Sequence, residues 1–182
     1  MMFEHLKKYN KILVTGPQRS GTRIAAKMIA TNTGYMYIDE QDFNISSLDG
    51  LRKIILKRNK IVVQCPAIFA WIQEFSANDT IIIFMKRKVE DIIASQNRIK
   101  WYDKTELSKY NKEEGVISKI KYGMWEKEQK PKIKHWFELE YESLAKHPLW
   151  IPKEKRIDFR YDQTANITKG NIFNYLFKKA LK

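Results

Sequence analysis

A glycine-bounded turn separates the first apolar segment of the chain from its first helical pattern. The pattern of a short buried strand covers Lys11 to Thr15, and the turn after it reads Gly16-Pro17-Gln18-Arg19-Ser20-Gly21. A helix with one apolar face is predicted from Thr22 to Thr31. Because glycine permits backbone conformations closed to other residues, successive amide N–H groups of such a turn can converge on one anion, assisted by the positive end of the helix. The spacing predicts a phosphate-binding loop, and the alternative is an ordinary tight turn.

The residues around Gly21 distinguish this loop from those that bind ATP or GTP. An ATP- or GTP-binding loop would continue with Gly-Lys-Ser or Gly-Lys-Thr, whereas Gly21 is followed here by Thr22 and Arg23. The lysine that reaches the terminal phosphates and the hydroxyl that holds magnesium are therefore missing. Arg19 supplies a cation from within the loop, and Thr22 retains a hydroxyl that can donate to a phosphate. These residues favour anion binding without ordinary nucleotide hydrolysis.

A second candidate phosphate site follows the most apolar strand pattern, Thr80 to Met85. Arg87 comes directly after this strand, and Ser95 lies eight residues further on, in a helix predicted from Val89 to Ile99. The strand end places Arg87 at the carboxyl edge of a parallel sheet, where ligands of open α/β folds bind. Ser95 is about two helical turns away and can face the same anion if the helix runs past it. The alternative is a surface arginine and an exposed helical serine.

The two motifs carry a resemblance to a known family. The segment Pro17-Gln18-Arg19-Ser20-Gly21-Thr22 resembles the 5′-phosphosulfate-binding loop of sulfotransferases, which use 3′-phosphoadenylyl sulfate (PAPS), and its Thr22-Arg23 ending resembles the glycan-modifying branch. The pattern Arg87-x-x-x-Asp91-x-x-x-Ser95 resembles the family's 3′-phosphate motif, although Val89 stands where the family often has proline. A weaker third match is Tyr141-Glu142-Ser143-Leu144. The resemblance spans residues 11 to 148.

The resemblance implies a fold, a function and a set of ligand contacts. The implied fold is a three-layer α/β sandwich with a central parallel sheet, of the P-loop NTPase-like sulfotransferase type, in a single domain over residues 1–182. The implied reaction is metal-independent, in-line transfer of a sulfuryl group from PAPS to a hydroxyl or amine, which leaves adenosine 3′,5′-bisphosphate. The implied nucleotide contacts are Gly16, Arg19, Ser20, Gly21, Thr22, Arg23, Arg87 and Ser95, with Lys169 and Gly170 as a late contact or, alternatively, a plain loop.

Two residues are candidates for the chemistry itself. Arg19 is the candidate for stabilising charge on the leaving phosphate, because a guanidinium matches phosphate oxygens in a fork. The acidic segment Asp39-Glu40-Gln41-Asp42 follows a second strand predicted from Tyr35 to Ile38, so it should lie at the same sheet edge as the loop. Glycan and tyrosyl sulfotransferases carry a glutamate after the corresponding strand, which implies Glu40 as the base, with Asp39 and Asp42 as rivals. The alternative for this cluster is a solvated loop that caps the next segment.

The remaining elements complete a βαβ pattern. Gln64-Cys65-Pro66 ends a third strand and should line the same cleft, with Cys65 as a small buried residue. The other predicted elements are a helix over Leu51–Lys57, a strand over Lys60–Gln64, a helix over Ala67–Phe75, a mostly helical stretch over Glu106–Lys127 interrupted near Gly115, a strand over Lys134–Glu140, a helical turn over Tyr141–Lys146 and a last helix over Ile172–Leu181.

Composition bounds the class of protein. The 182 residues carry a formal net charge of +13, which favours anionic ligands, an anionic acceptor among them, and the alternative is a lysine-rich solvated surface. The basic residues are scattered without a stripe interleaved with aromatics, so nucleic acid is not the expected partner. The single cysteine and the lack of a signal or membrane-span pattern predict a cytoplasmic protein. No cluster of residues at metal-ligand spacing is present, and the oligomeric state and the acceptor are not indicated.

Two other functions fit the same residues. One is a P-loop kinase or NTPase with an aberrant loop, against which the missing Gly-Lys-Ser/Thr and the Arg87–Ser95 pair count. The other is a noncatalytic nucleotide- or polyanion-binding module, which the short chain, the absent histidine base and the positive charge favour.

Overall fold

The sheet is parallel throughout and places its first strand at the centre. The structure, a computed structural model, describes residues 2–43, 48–99, 114–150 and 152. Its five strands pair in the order β2-β3-β1-β4-β5. They are β1 (Lys11–Thr15), β2 (Met36–Ile38), β3 (Ile61–Gln64), β4 (Thr80–Lys86) and β5 (Trp136–Glu140). This order brings the carboxyl ends of β1, β3 and β4 together at one edge.

Helices cover both faces of the sheet. The α-helices are α1 (Thr22–Thr33), α2 (Leu48–Lys57), α3 (Val89–Arg98) and α4 (Val116–Met124). A π-helical turn, Trp125–Gln129, extends α4. Short 3₁₀ helices span Glu4–Lys8, Glu40–Asp42, Pro66–Phe75, Lys130–Lys132 and Tyr141–Lys146.

Alternation along the strands builds two hydrophobic cores. In β1, Ile12 and Val14 pack with α1 on one face, whereas Leu13 packs with the Pro66–Phe75 helix on the other. Central strands buried on both faces need continuous apolar runs, because side chains alternate between the two faces. On the second face the rings of Phe84 and Trp125 stack with centroids 4.4 Å apart. The three-layer α/β architecture expected from the sequence is confirmed.

Most element boundaries match the sequence expectations, and the exceptions have local causes. Tyr35 was expected in β2, but its amide donates to Ala30 O and so helps to cap the end of α1. Lys60 was expected in β3, but its φ of 54° lies outside the extended region, so the strand begins at Ile61. The helix expected at Ala67–Phe75 is a 3₁₀ helix beginning at Pro66. Gly115 caps α4 at the expected interruption, and the last predicted helix lies outside the described residues.

Candidate active site

The loop after β1 adopts the backbone that its glycines allow. Gly16, Arg19 and Gly21 have φ values of 142°, 73° and 98°. A Cβ atom at Gly16 would lie 2.9 Å from Met85 O, so the loop can cross β4 only without a side chain there. The turn is closed by Ser20, whose hydroxyl donates to Pro17 O at 2.7 Å. The strand-loop-helix geometry predicted from the spacing is therefore present.

Gly21 packs directly against an aromatic ring, which gives a test of the loop. Its Cβ would lie 2.4 Å from Tyr141 Cδ2, whereas a Cβ at Gly34, also at positive φ, would meet nothing within 4 Å. Gly34→Ala should therefore cost only the left-handed strain, about 1–2 kcal/mol. Gly21→Ala should lose a further ~1–3 kcal/mol through overpacking, which for a chain of this size lowers the melting temperature by at least about 2 °C more. Equal melting temperatures of the two variants would contradict the packing described here.

The two phosphate motifs meet in space. Arg19 Nε donates to Ser95 Oγ at 3.2 Å, and Arg87 Nη1 donates to Arg19 O at 3.0 Å. The loop after β1 and the segment after β4 are thus joined by hydrogen bonds between residues at least 68 positions apart. Two guanidinium groups and one hydroxyl therefore lie at the same sheet edge.

Arg87 is held in place from α4 and from the segment after β5. The Tyr122 hydroxyl accepts from Arg87 N at 3.0 Å and donates to Arg87 O at 2.6 Å. Burial raises the pKa of Tyr122, which keeps the phenol protonated for this donation. The guanidinium carbon lies 4.0 Å from the ring centroid of Tyr141, and Arg87 Nε is buried with no hydrogen-bond partner among the described residues. A fixed cation with an unused donor is a group that an anionic ligand can satisfy.

A buried glutamine links the loop to the acidic segment. Gln64 Nε2 donates to Thr22 Oγ1 at 3.2 Å, and Gln64 Oε1 accepts from Glu40 N at 3.4 Å. Because the Thr22 oxygen accepts from the amide, its own proton is directed to another acceptor. Gln64 therefore sets the orientation of a hydroxyl that can donate to a bound anion.

The acidic segment divides into two structural carboxylates and one candidate base. Asp39 forms a two-point ion pair with Arg23, at 2.8 and 3.0 Å, and also accepts from the Tyr37 hydroxyl. Burial alone would raise the pKa of Asp39, but Tyr37 and Arg23 together hold it below its usual value. Asp42 Oδ2 accepts from Asp39 N and closes a capping box. Both aspartates are thus committed to local structure.

Glu40 has the environment of a proton acceptor. Its carboxylate accepts from Ala67 N at 3.3 Å and faces the same cavity as the loop. Burial, and then the charge of Asp39, raise the pKa of Glu40 to about 6. A carboxylate with a pKa near neutrality is matched to general-base work.

A cavity of about 490 Å³ collects most of the predicted residues. This volume falls within the range of small-molecule sites. Its lining includes Arg19, Gly21, Thr22, Arg23, Glu40, Gln64, Pro66, Arg87 and Ser95. Gly16 and Ser20 are buried in the loop behind it, and Arg23 faces it while paired with Asp39. Their nucleotide contacts stay predictions, as do those of Lys169 and Gly170, which lie outside the described residues.

The cavity also includes residues that the sequence reasoning did not assign to it. Arg98 lies one turn after Ser95 on α3, a spacing that could have identified it. Asp91, the middle residue of the Arg87–Ser95 pattern, lies in the first turn of α3 and also lines the cavity. Tyr141, which begins the weaker third match to the family, also lines the cavity, as does Trp150, which no local signal marks. Among the described residues no group of three or more His, Cys, Asp or Glu side chains is arranged to hold a metal.

Cys65 is buried, as the sequence predicted, and lies behind the cavity wall. Its carbonyl accepts from the Thr15 hydroxyl at 3.3 Å. Burial, with the charge of Glu40, raises the pKa of the Cys65 thiol far above its usual value, so it is no nucleophile at neutral pH.

No helix within residues 2–43, 48–99 and 114–150 is both long and apolar enough to cross a membrane.

Comparison with known proteins bears on the fold. No protein-family model matches the sequence, and no curated protein matches it. Among solved structures, the chain is similar to a shikimate kinase from Acinetobacter baumannii in complex with shikimate, with a TM-score of 0.54 and 12% sequence identity. The similarity covers 78% of this chain and 92% of the other. At this identity the likeness shows the fold alone.

Proposed function

We propose that this protein is a sulfotransferase that moves a sulfuryl group from PAPS to a hydroxyl or amine of an acceptor, in line and without a metal. The observation that carries the proposal is the contact between the two motifs, in which Arg19 Nε donates to Ser95 Oγ and Arg87 binds the carbonyl of Arg19. The loop after β1 offers a site for one phosphate, and Arg87 with Ser95 offers a cation and a hydroxyl beside it. This arrangement suits a nucleotide with phosphates at both the 5′ and the 3′ positions.

The residues of the cavity fit such a ligand. Within the part of the chain that the structure describes, Arg87 offers a buried Nε without a partner, and the glycines of the loop leave room for an anion close to the backbone. Arg87 and Ser95 would hold the 3′-phosphate, and the loop with Thr22 would hold the 5′ end. Arg19 takes the place of the lysine that ATP-binding loops use, and a guanidinium recognises a phosphate or sulfonate by two parallel hydrogen bonds.

The proposed chemistry assigns one step to each of two side chains. PAPS supplies the sulfuryl group and keeps the electron pair of the broken S–O bond on its 5′-phosphate. Glu40 accepts the proton of the acceptor as the acceptor oxygen or nitrogen bonds to sulfur. Arg19 neutralises the charge that develops on the leaving phosphate. Adenosine 3′,5′-bisphosphate then leaves the loop.

A P-loop phosphotransferase is the second candidate, favoured by the similarity of the fold to shikimate kinase. Such an enzyme would bind ATP at the same loop. The two candidates differ in the need for a 3′-phosphate, and hence in what Arg87 does.

Calorimetric titration with adenosine 3′,5′-bisphosphate and with ATP distinguishes the candidates. We expect the bisphosphate to bind more tightly than ATP, and Arg87→Ala to weaken its binding by about 10- to 100-fold, since a charge-assisted hydrogen bond contributes ~1.5–3 kcal/mol. Arg87→Lys retains the charge but lacks the two-point geometry of the guanidinium, so its affinity for the bisphosphate should lie between those of the wild type and Arg87→Ala. Arg58→Ala removes an equal charge outside the cavity and should leave affinity unchanged.

Two results would overturn the sulfotransferase proposal. One is equal or tighter binding of ATP, which would favour the phosphotransferase. The other is bisphosphate binding that Arg87→Ala does not weaken, measured on a variant whose thermal unfolding shows that it is folded.

A further inference from the structure

A lysine is buried beneath the phosphate-binding loop. Lys121, on α4, is 1% exposed and its Nζ donates to Gln18 Oε1 at 2.9 Å and to Pro66 O at 3.0 Å. The same ammonium lies 5.6 Å from the ring centroid of Phe69. Gln18 belongs to the loop and lines the cavity. The lysine therefore joins the loop to α4 and to the 3₁₀ helix after β3.

Among the described residues, the charge of this lysine has no close counterion. Its two hydrogen-bond acceptors are an amide oxygen and a backbone carbonyl, and no carboxylate of the described residues lies within ion-pair distance. Lysine is rarely buried without a paired charge, because an isolated ammonium is costly to remove from water. Burial lowers the pKa of Lys121 to about 7, opposed only by the more distant charge of Glu40. An anion in the cavity above it would supply the missing opposite charge.

Gln18 is held from two sides. Its side chain accepts from Lys121, and its backbone carbonyl accepts from Gln96 Nε2 of α3 at 3.4 Å. Arg19, the next residue, has the left-handed backbone that turns the loop and carries the cation of the proposed chemistry. Fixing Gln18 therefore fixes the turn at Arg19.

We propose that Lys121 is a positioning residue that holds the loop through Gln18 in its anion-binding arrangement and takes up a proton when an anionic nucleotide binds. This rests on the proposed function only in that the loop binds the phosphate end of a nucleotide, whichever group is transferred. Among the described residues, the ionisable group that acts on the charge of the lysine is Glu40, in the turn after β2. Arg19 in the loop and Cys65 at the end of β3 are the sequence neighbours of its two partners, Gln18 and Pro66. A bound anion stabilises the ammonium, so affinity falls as pH rises through the pKa of Lys121.

The test compares nucleotide binding by Lys121→Met, Gln18→Ala and the double variant. Adenosine 3′,5′-bisphosphate and ATP are titrated at about pH 6, 7 and 8.5, on either side of the shifted pKa, in buffers of different ionisation enthalpy. We expect Lys121→Met to lower the affinity for whichever nucleotide binds the wild type by about 10-fold near pH 6. This is the size expected for loss of one charge interaction. The proton uptake of the wild type near pH 7 should be lost, while the ligand's own titration contributes equally to both proteins.

Matched variants separate positioning from general effects. Lys119→Met removes an exposed charge from the same helix and should change neither affinity nor proton uptake. Measurements in a Glu40→Gln background remove the titration of Glu40. If Lys121 acts through Gln18, the effects of Lys121→Met and Gln18→Ala are not additive. Gln18→Ala leaves the core intact and carries the test if Lys121→Met does not fold.

Three results would overturn this inference. The first is a nucleotide affinity of Lys121→Met within about twofold of the wild type, well below the change expected for a lost charge interaction. The second is proton uptake by Lys121→Met equal to that of the wild type. The third is additive effects of the two substitutions on affinity in the double variant. If the wild type binds ATP but not the bisphosphate, the sulfotransferase proposal is wrong. The affinities of the wild type and Lys121→Met are then compared with ATP as the ligand. Absence of binding of both nucleotides to the wild type would end both.

Discussion

Glu40→Gln is expected to lower sulfuryl transfer by about 10²- to 10⁴-fold, the usual contribution of a general base, while leaving affinity for adenosine 3′,5′-bisphosphate nearly unchanged. The amide keeps the shape of the carboxylate and an oxygen that can accept from Ala67 N, so the contact with the 3₁₀ helix survives. The substitution removes the capacity to take a proton and the negative charge of the carboxylate. Turnover is measured as adenosine 3′,5′-bisphosphate released from PAPS, with water or a panel of phenols, alcohols and amines as acceptor.

The pH profile gives an independent readout of the same role. Burial raises the pKa of Glu40 to about 6. A base must be ionised to work, so wild-type kcat/KM should rise as pH increases through about 6, and this limb should be absent from Glu40→Gln. A limb that persists in the variant would assign it to another group.

Asp42→Asn is the matched control. Asp42 is two residues away, caps the turn and does not line the cavity, so its amide should leave turnover unchanged. A loss in Asp42→Asn without one in Glu40→Gln would reverse the assignment of the base. If the wild type binds the bisphosphate, releases none from PAPS, and Glu40→Gln changes nothing, the protein is a noncatalytic binding module.

Arg19→Met is expected to lower turnover by about 10²- to 10³-fold, the loss seen when one group that stabilises transition-state charge is removed. Methionine matches the arginine side chain as far as Nε and faces the same left-handed backbone, so the loop keeps its strain. Arg19→Lys keeps the charge without the two-point geometry and should lose less. Single-turnover measurement of bisphosphate formation separates this effect from product release.

Ser95→Ala separates the charge of Arg19 from its placement. The substitution removes the oxygen to which Arg19 Nε donates and leaves the guanidinium present. We expect a weaker nucleotide affinity with a smaller change in turnover than in Arg19→Met. Turnover of Arg19→Met within about threefold of the wild type, far from the loss of a transition-state interaction, would show that Arg19 does not stabilise the leaving group.

Local sequence determined the elements and the loop. The continuous apolar runs within Thr80–Lys86 and within β1 indicate buried strands, because such a pattern depends only on neighbouring residues. Gly16 and Gly21 indicated a turn with positive φ, which the structure contains. The motif around Arg87 and Ser95 placed both residues at the correct sheet edge, since parallel strands end on the same side.

Only the tertiary structure decided which side chains work together. Lys121 lies 103 residues from Gln18, and Gln64 lies 42 from Thr22, so neither contact leaves a local pattern. Asp39 and Glu40 are adjacent and chemically alike, yet Arg23 forms an ion pair with Asp39, whereas burial raises the pKa of Glu40. The strand order β2-β3-β1-β4-β5 creates these differences, because it brings distant strand ends to one edge and thereby sets burial and charge at each side chain.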